Sequence, residues 1–446
     1  VGPPAAAALG RLRGHWPAAL VAVLLLGAGF GVGARFPPQE LMGDEPFYVQ
    51  AAHRHATLGA RLVELVPGAM PFYWWPPLSP SCYALFADRE LAAAFATETG
   101  ASPALQLRPP APGVRRFLAS IARLNAVLLA SSGVLLYALA TRLGAGRAAA
   151  ATGALAFGLS PRALYYVIAL WPELLHIAVM SAALLCLTPG RGSNAPVWHL
   201  VGGAALGVAS LNKPAAELLV LGLVGLGLLE LSLRREGCRR ALLSLLLLAV
   251  GFSVVNLPQR TANALRHGRF AVSANQWVNL EAGLVPEFSF RRYFRTGAPR
   301  SFFGAGYLPL EEASRRRVLD FLAEADLGEL LRGATRQLFE VQLSHSFLAR
   351  DLSLGGRWSD PPPAAAVRLG AALSWLAFGL GLPGALVLGV VDRRARPLAL
   401  YAVLQVLLLL LGGFNPRFFV QAYPVLCVAG ASGVARAARG LRAARR

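Results

Sequence analysis

Apolar residues along this chain fall into long unbroken runs rather than the alternating patterns of a water-facing fold. Ten runs are predicted to be membrane-crossing helices, at residues 16–35, 117–141, 148–160, 172–188, 197–212, 214–233, 241–257, 364–391, 397–413 and 417–435. About 20 apolar residues are needed to cross ~30 Å of hydrocarbon. The runs at 148–160 and 197–212 are short and rich in Ala and Gly, so they are expected to tilt little, thin the bilayer or extend past these limits. Two long stretches, 36–116 and 258–363, separate the runs. In the second, Leu310, Val318, Phe321, Leu322, Leu330, Leu331 and Leu338 recur at helical spacing among mixed charges. That pattern predicts one or two amphipathic helices over 311–350, lying on the outer surface. The expected fold is an all-α polytopic membrane protein: a bundle of about ten transmembrane helices with two long outer-face loops containing amphipathic helices. Three regions follow. Residues 1–257 form an N-terminal module including the first loop, 258–363 the second loop, and 364–446 the C-terminal helices with a basic tail.

Composition supports this reading. Of the 446 residues 55% are hydrophobic and only 15% charged, with mean hydropathy +0.51. These values exclude an ordinary soluble enzyme, a disordered chain and a small disulfide-stapled domain. The net charge of +20 does not point to nucleic acid, because the arginines sit at the ends of apolar runs or in the two long loops and form no compact basic domain. Lys213 is the single lysine. Arginines cluster on one side of the predicted bundle, at 11, 13, 142, 147, 191, 234, 235, 239, 240, 393, 394, 396, 436, 439, 442, 445 and 446, against Arg162, Lys213 and Arg417 in the short connections of the other side. Short cytoplasmic loops collect such residues, so both termini are expected in the cytoplasm of a bacterial cell, with the long loops and the chemistry on the outer face of its plasma membrane. The first run, preceded by Arg11 and Arg13, reads as an uncleaved anchor. Of the four cysteines one, Cys82, is expected on the outer side, and no disulfide is expected.

Candidate chemistry begins just past the first run, at Gly43-Asp44-Glu45-Pro46-Phe47-Tyr48. Pro46 suits a first helical turn and the two acids suit its positive end, so Asp44 reads either as a helix cap or as a reactive carboxylate. A helical stretch follows to about Leu58 and Gly59. Trp74-Trp75-Pro76-Pro77-Leu78-Ser79-Pro80 then stiffens the loop along the membrane interface. This arrangement resembles the GT-C superfamily of integral-membrane glycosyltransferases, nearest by pattern to the protein O-mannosyltransferases and the lipid A aminoarabinose transferases. Further matches are Ser160-Pro161 with Tyr165-Tyr166 and Trp171-Pro172-Glu173-Leu174, then Asn212-Lys213-Pro214, then Pro258 to Gly268 with Ser273, Asn275, Asn279 and Leu280, and finally Asn415-Pro416-Arg417-Phe418 with Tyr423-Pro424. The chain departs from the family pattern at Gln259 and Ala262, where Trp and Arg are expected, leaving Arg260 or Arg266 to supply the charge.

The resemblance implies transfer of a sugar from a polyprenyl-phosphate donor to an acceptor hydroxyl on a protein, a lipid or a cell-wall glycan, by direct displacement with inversion, and it makes Asp44 catalytic. Such a reaction needs a base, a counter-charge for the departing phosphate and room for an oxocarbenium-like sugar. Asp44 is the candidate base. Lys213, Arg260, Arg266 and Arg417 are expected near the outer surface, where they hold a lipid phosphate or snorkel to headgroups. Lys213 stands out because it interrupts an apolar run. Tyr48 is grouped with these donor-binding residues. Glu173 opens a predicted span, where it orients the acceptor, binds a divalent cation with Asp44, or serves its own helix N-terminus. Glu45 is a candidate for holding Asp44 or the acceptor. No metal-ligand set is apparent. His53 and His55 would point about 200° apart on a helix, and His176, near Glu173, is expected to be a hydrogen-bonded packing residue. The sequence requires no cofactor and leaves a divalent cation open. Two other classes compete: a transporter or flippase of lipid-linked sugars, for which neither internal repeats nor broken helices are apparent, and a noncatalytic scaffold that binds through its outer loops.

Overall fold

The structure is a computed structural model that describes residues 3–36, 45–57, 77–91, 112–190, 195–233, 238–273, 276–285, 308–343, 364–412 and 419–444. Among the described residues the regular structure is entirely helical. The helices are α1 (Pro3–Arg35), α2 (Glu45–Thr57), α3 (Leu78–Ala84), α4 (Pro112–Arg142), α5 (Arg147–Gly158), α6 (Pro161–Ile168), α7 (Glu173–Leu187), α8 (Ala195–Ser210), α9 (Ala216–Leu233), α10 (Cys238–His267), α11 (Gln276–Leu284), α12 (Leu308–Glu324), α13 (Leu327–Arg336), α14 (Ala364–Val391), α15 (Arg396–Gly412) and α16 (Phe419–Ala444).

Each of the ten predicted spans coincides with a helix. Among the described residues six helical stretches are by themselves long and apolar enough to cross a membrane: 16–35, α4, α9, 239–265, α14 and 393–411. A seventh arises only if α6 and α7 are joined across a bend of 117°. The other predicted spans fall short of that length and apolarity for physical reasons. α5, α7 and α8 have 12, 15 and 16 residues, or roughly 18–24 Å at 1.5 Å per residue. α7 is wrapped by other helices and buries most of its side chains, so protein rather than lipid forms its surroundings. In α16 the apolar run is interrupted by Gln421, Tyr423 and Pro424. The bend lies just before residue 172, where the predicted span 172–188 begins.

The bundle is tied together by α8 on α10, α14 on α16 and α1 on α4. Helices in lipid associate through close packing, and small residues let their backbones approach. A Cβ added to Gly203 would overlap the Leu248 carbonyl, and one added to Gly251 the Leu200 carbonyl, so α8 and α10 cross nearly backbone to backbone. α4 ends at Gly144 (φ +82°), where the Ala145 N–H bonds the Ala140 carbonyl at 2.9 Å in a left-handed turn that glycine favours.

The two ends of the bundle differ. At one, arginines cap exposed helix carbonyls: Arg142 reaches Leu185 O at 2.7 Å, and Arg436 reaches Leu143 O at 2.8 Å while pairing with Asp392 at 3.0 Å. From the other, the loop end, project α2, α3 and a block formed by α11, α12 and α13. The predicted amphipathic region is α12, α13 and a π-helical turn, Gln337–Gln342; residues 344–350 lie outside the described part. Gly268 (φ +66°) ends α10, and Asn263 Nδ2 holds the following turn through the carbonyls of Ala271 and Val272, at 2.7 and 3.1 Å. Glu311 accepts the N–H groups of Trp277 and Val278 at the start of α11, at 2.9 and 3.3 Å, and Arg317 grips Glu281 with two nitrogens.

Candidate active site at a broken helix

Breaking a helix inside a bundle releases backbone groups that need new partners, since buried N–H and C=O groups without them are costly. Here four other segments supply those partners. Asn125 of α4 donates from Nδ2 to the carbonyls of Tyr166, Val167 and Ala169, at 3.1, 3.3 and 3.0 Å. The Glu45 carboxylate accepts the Leu170 N–H at 2.8 Å. The Tyr83 hydroxyl donates to Trp171 O at 3.0 Å, and Asn212 Nδ2 to Pro172 O at 2.9 Å. Ser79 Oγ donates to Asn212 Oδ1, and the Leu78 N–H to Leu211 O at 3.0 Å, which clasps α3 to the α8–α9 step. All the side chains in this clasp are buried.

Glu173 opens α7 directly after the bend, where the positive helix end favours a carboxylate. It is fully buried, and its Oε1 accepts from Lys213 Nζ at 2.9 Å. Lys213 is positioned from the last turn of α8, its own N–H bonding Ala209 O at 2.8 Å. Either charge alone would be expensive at this depth, and the pair makes both tolerable. Glu173 Oε2 has no hydrogen-bond partner. His176, one turn further along α7, is fully buried beside this pair.

Tyr83 lies in the field of both acids. Burial first, then the charges of Glu173, Cys82 and Glu45, hold its phenol well above the usual range, so it stays a hydrogen-bond donor. Tyr48 is buried edge-on against it, ring centroids 6.3 Å apart at 73°, within the cluster rather than on its surface. Tyr165 and Tyr166 flank Trp171 at 5.8 and 5.9 Å.

A second network meets the same α8–α9 step. Arg260 of α10 pairs with Glu217, donates from Nε to Asn256 Oδ1 at 2.7 Å, and lies over the Phe270 ring at 5.4 Å. Ser210 joins it, donating to Glu217 Oε1 at 2.9 Å and accepting from Asn256 Nδ2 at 2.7 Å. Lys213 and Arg260 are thus both anchored at one step, each ion-paired to a carboxylate. Their side chains keep 13% and 19% exposure, enough to meet an incoming anion at their edges.

The structure therefore brings Glu45, Tyr48, Glu173 and Lys213 together, with Arg260 braced on the adjoining step. Asp44 and Arg417 lie outside the described residues, as does the side chain of Arg266 on α10. Asp44 directly precedes Glu45 in the chain. Among the described residues no three His, Cys, Asp or Glu side chains gather as they would around a metal ion. Sequence reasoning did not find Asn125, Tyr83 or Glu217. Asn125 left one signal, a lone amide in the apolar run of α4.

No protein-family model matches the sequence, and no curated protein does. In fold, the chain is similar to the archaeal oligosaccharyltransferase AglB from Archaeoglobus fulgidus, whose structure is a complex with an inhibitory peptide and a dolichol-phosphate. The TM-score is 0.50 at 14% identity, covering 97% of this chain and 51% of that one, so this chain spans about half the length of AglB. The S. cerevisiae O-mannosyltransferase complex Pmt1-Pmt2, bound to its sugar donor, aligns more loosely, with TM-score 0.40 and 17% identity over 55% of this chain and 33% of that one. The likeness to AglB is one of fold: this is a polytopic, all-α membrane protein with a GT-C-like architecture.

Proposed function

We propose that this protein is a glycosyltransferase that moves a sugar from a polyprenyl-phosphate donor to an acceptor hydroxyl, with the loop end of the bundle on the outer face of a bacterial plasma membrane. The observation that carries the reading is the convergence at the bend, where two acids and a lysine from three separate segments meet beside buried hydrogen-bonded tyrosines. A GT-C-like fold supports it, as does AglB, which binds a dolichol-phosphate and a peptide.

In the proposed reaction Asp44 takes the proton of the acceptor hydroxyl. The acceptor oxygen bonds to the anomeric carbon as the bond from that carbon to the phosphate oxygen breaks, and polyprenyl phosphate departs with the electron pair. Displacement from the opposite face inverts the anomeric centre. Glu45 fixes the approach of Asp44 by tying the next residue to Leu170. Lys213, Arg260, Arg266 and Arg417 face the growing phosphate charge, the arginines with the bidentate geometry that suits it. Tyr48 supports the donor pocket through Tyr83. Glu173 holds Lys213 in place before the donor arrives and orients the acceptor. A divalent cation between Asp44 and Glu173 would find Glu173 already neutralised by Lys213. The transferred sugar is a hexose or a pentose, and the hydroxyl belongs to a protein, a lipid or a cell-wall glycan.

Membranes carrying the protein are expected to transfer radiolabelled sugar from a polyprenyl-phosphate donor. Asp44→Asn at equal abundance is expected to lose on the order of 10²- to 10⁴-fold in rate, the range for a positioned general base. Normal transfer by that variant would remove Asp44 from the mechanism. The bent α6–α7 pair favours a second reading, a flippase of lipid-linked sugars, since broken helices are common in transporters. Purified protein that moved the lipid-linked sugar between liposome leaflets and formed no glycosylated product would establish that reading instead.

A further inference from the structure

α13 separates its polar and apolar residues cleanly, yet among the described residues its apolar face stays largely exposed. At 100° per residue Leu327, Leu330, Leu331 and Ala334 fall within a sector about 100° wide, while Glu329, Arg332 and Arg336 lie opposite. None of its residues is buried; Leu327 is 71% exposed and Leu331 58%. A helix on the surface of a water-soluble block would turn such a face inward.

Beyond α13 the chain meets the exposed side of a candidate membrane span. The chain leaves α13 through the π-helical turn to Phe339, whose ring stacks on Trp375 of α14 at 5.4 Å and 21°. α14 is long and apolar enough to span a membrane, and Trp375 sits on its exposed side with Leu369, Leu376 and Leu380. Height along α14 fixes the level of the stack. Trp375 is sixteen residues from Val391, where the arginine-rich turn Arg393–Ala395 begins the opposite end. Sixteen residues rise about 24 Å, which places the stack near the far boundary of a ~30 Å hydrocarbon core. Tryptophan is enriched at that level. Arg368 lies higher still, at about 35 Å and clear of the core. Leu338 is buried and Gln337 Nε2 donates to Gly283 O at 3.0 Å, so α13 is held against α11 at this height.

We propose that α13 is an in-plane membrane helix: Leu327, Leu331 and Phe339 enter the acyl region of the leaflet at the loop end, while Arg332 and its polar face lie among lipid phosphates. It thereby fixes the height of the α11–α12 block above the bilayer. The inference stands apart from the transfer reading, since it requires only the span assignment of α14.

The test uses the full chain in nanodiscs of phosphatidylcholine with phosphatidylglycerol, one copy per disc. Leu327→Cys, Leu331→Cys and Arg332→Cys are each exposed to a membrane-impermeant maleimide, and labelling is read peptide by peptide so that the native cysteines are resolved. The two leucine positions are expected to react at least about tenfold more slowly than position 332, in line with burial of a leucine-sized side chain. A bimane attached at positions 327 and 331 is expected to be quenched by brominated acyl chains, and one at 332 is not. Equal, fast labelling at all three positions without quenching would place the face in water and overturn the proposal. Protection that appears only in discs holding two copies would also overturn it, in favour of a contact between copies.

Discussion

A lysine ammonium 2.9 Å from a fully buried carboxylate is the most consequential pair in the structure. Removing one partner of such a pair costs roughly 3–5 kcal/mol, because the other charge is left without compensation. Lys213→Met is therefore expected to lower the unfolding temperature markedly, and Glu173→Gln combined with Lys213→Met to recover most of the loss. Transfer activity is expected to be lost in both. Thermal unfolding in detergent and the labelled-sugar assay, run side by side, check this; recovery of activity in the double variant would make Lys213 purely structural. At this scale the sequence marked unusual charges more readily than what they touch. Lys213 was conspicuous as a charge in an apolar run and Glu173 as the acid opening a span. Their pairing was not legible, because forty residues separate them and no local spacing encodes the contact.

Between elements, the docking of α11 on α12 depends on Glu311, whose carboxylate receives the first N–H groups of α11. Burial pushes its pKa up to about 7, against the pull of those N–H groups and of the Arg269 charge. An acid with a raised folded-state pKa holds its proton more tightly when folded. Its contribution to stability is therefore complete below about pH 4.5 and declines as pH rises to about 7. Amide hydrogen exchange in α11, corrected for intrinsic rates, is expected to show protection falling across that interval, and Glu311→Gln is expected to flatten the dependence. Most helices could be located in advance, because apolar runs mark them and cap chemistry marks their starts. Ser160-Pro161 does open α6, with Ser160 Oγ accepting the Ala163 N–H at 3.1 Å. Trp171-Pro172-Glu173 marked where α7 begins, but the 117° angle was not legible, because it is held by Asn125, Tyr83, Glu45 and Asn212, all distant in sequence.

For the whole molecule, the decisive contacts are those that let helices approach without bulky side chains. Gly251→Val would drive a side chain into the Leu200 carbonyl and part α8 from α10. A loss of about 1–3 kcal/mol or more is expected from such overpacking, read as a lower melting temperature and less monodisperse protein in size-exclusion chromatography. The all-α polytopic class was legible from hydropathy alone, and the GT-C-like fold from the order of short motifs. Length and apolarity alone do not fix the number of spans, since short helices enclosed by protein need not meet the length that lipid imposes. The bend also bears on how the chain is made. Its partners reside at positions 45, 83, 125 and 212, so three precede it and one follows. As the ribosome feeds the chain into the translocon, Pro172 O has no Asn212 to receive until α8 has emerged. The bend can therefore close fully only after the α8–α9 step has followed it into the membrane.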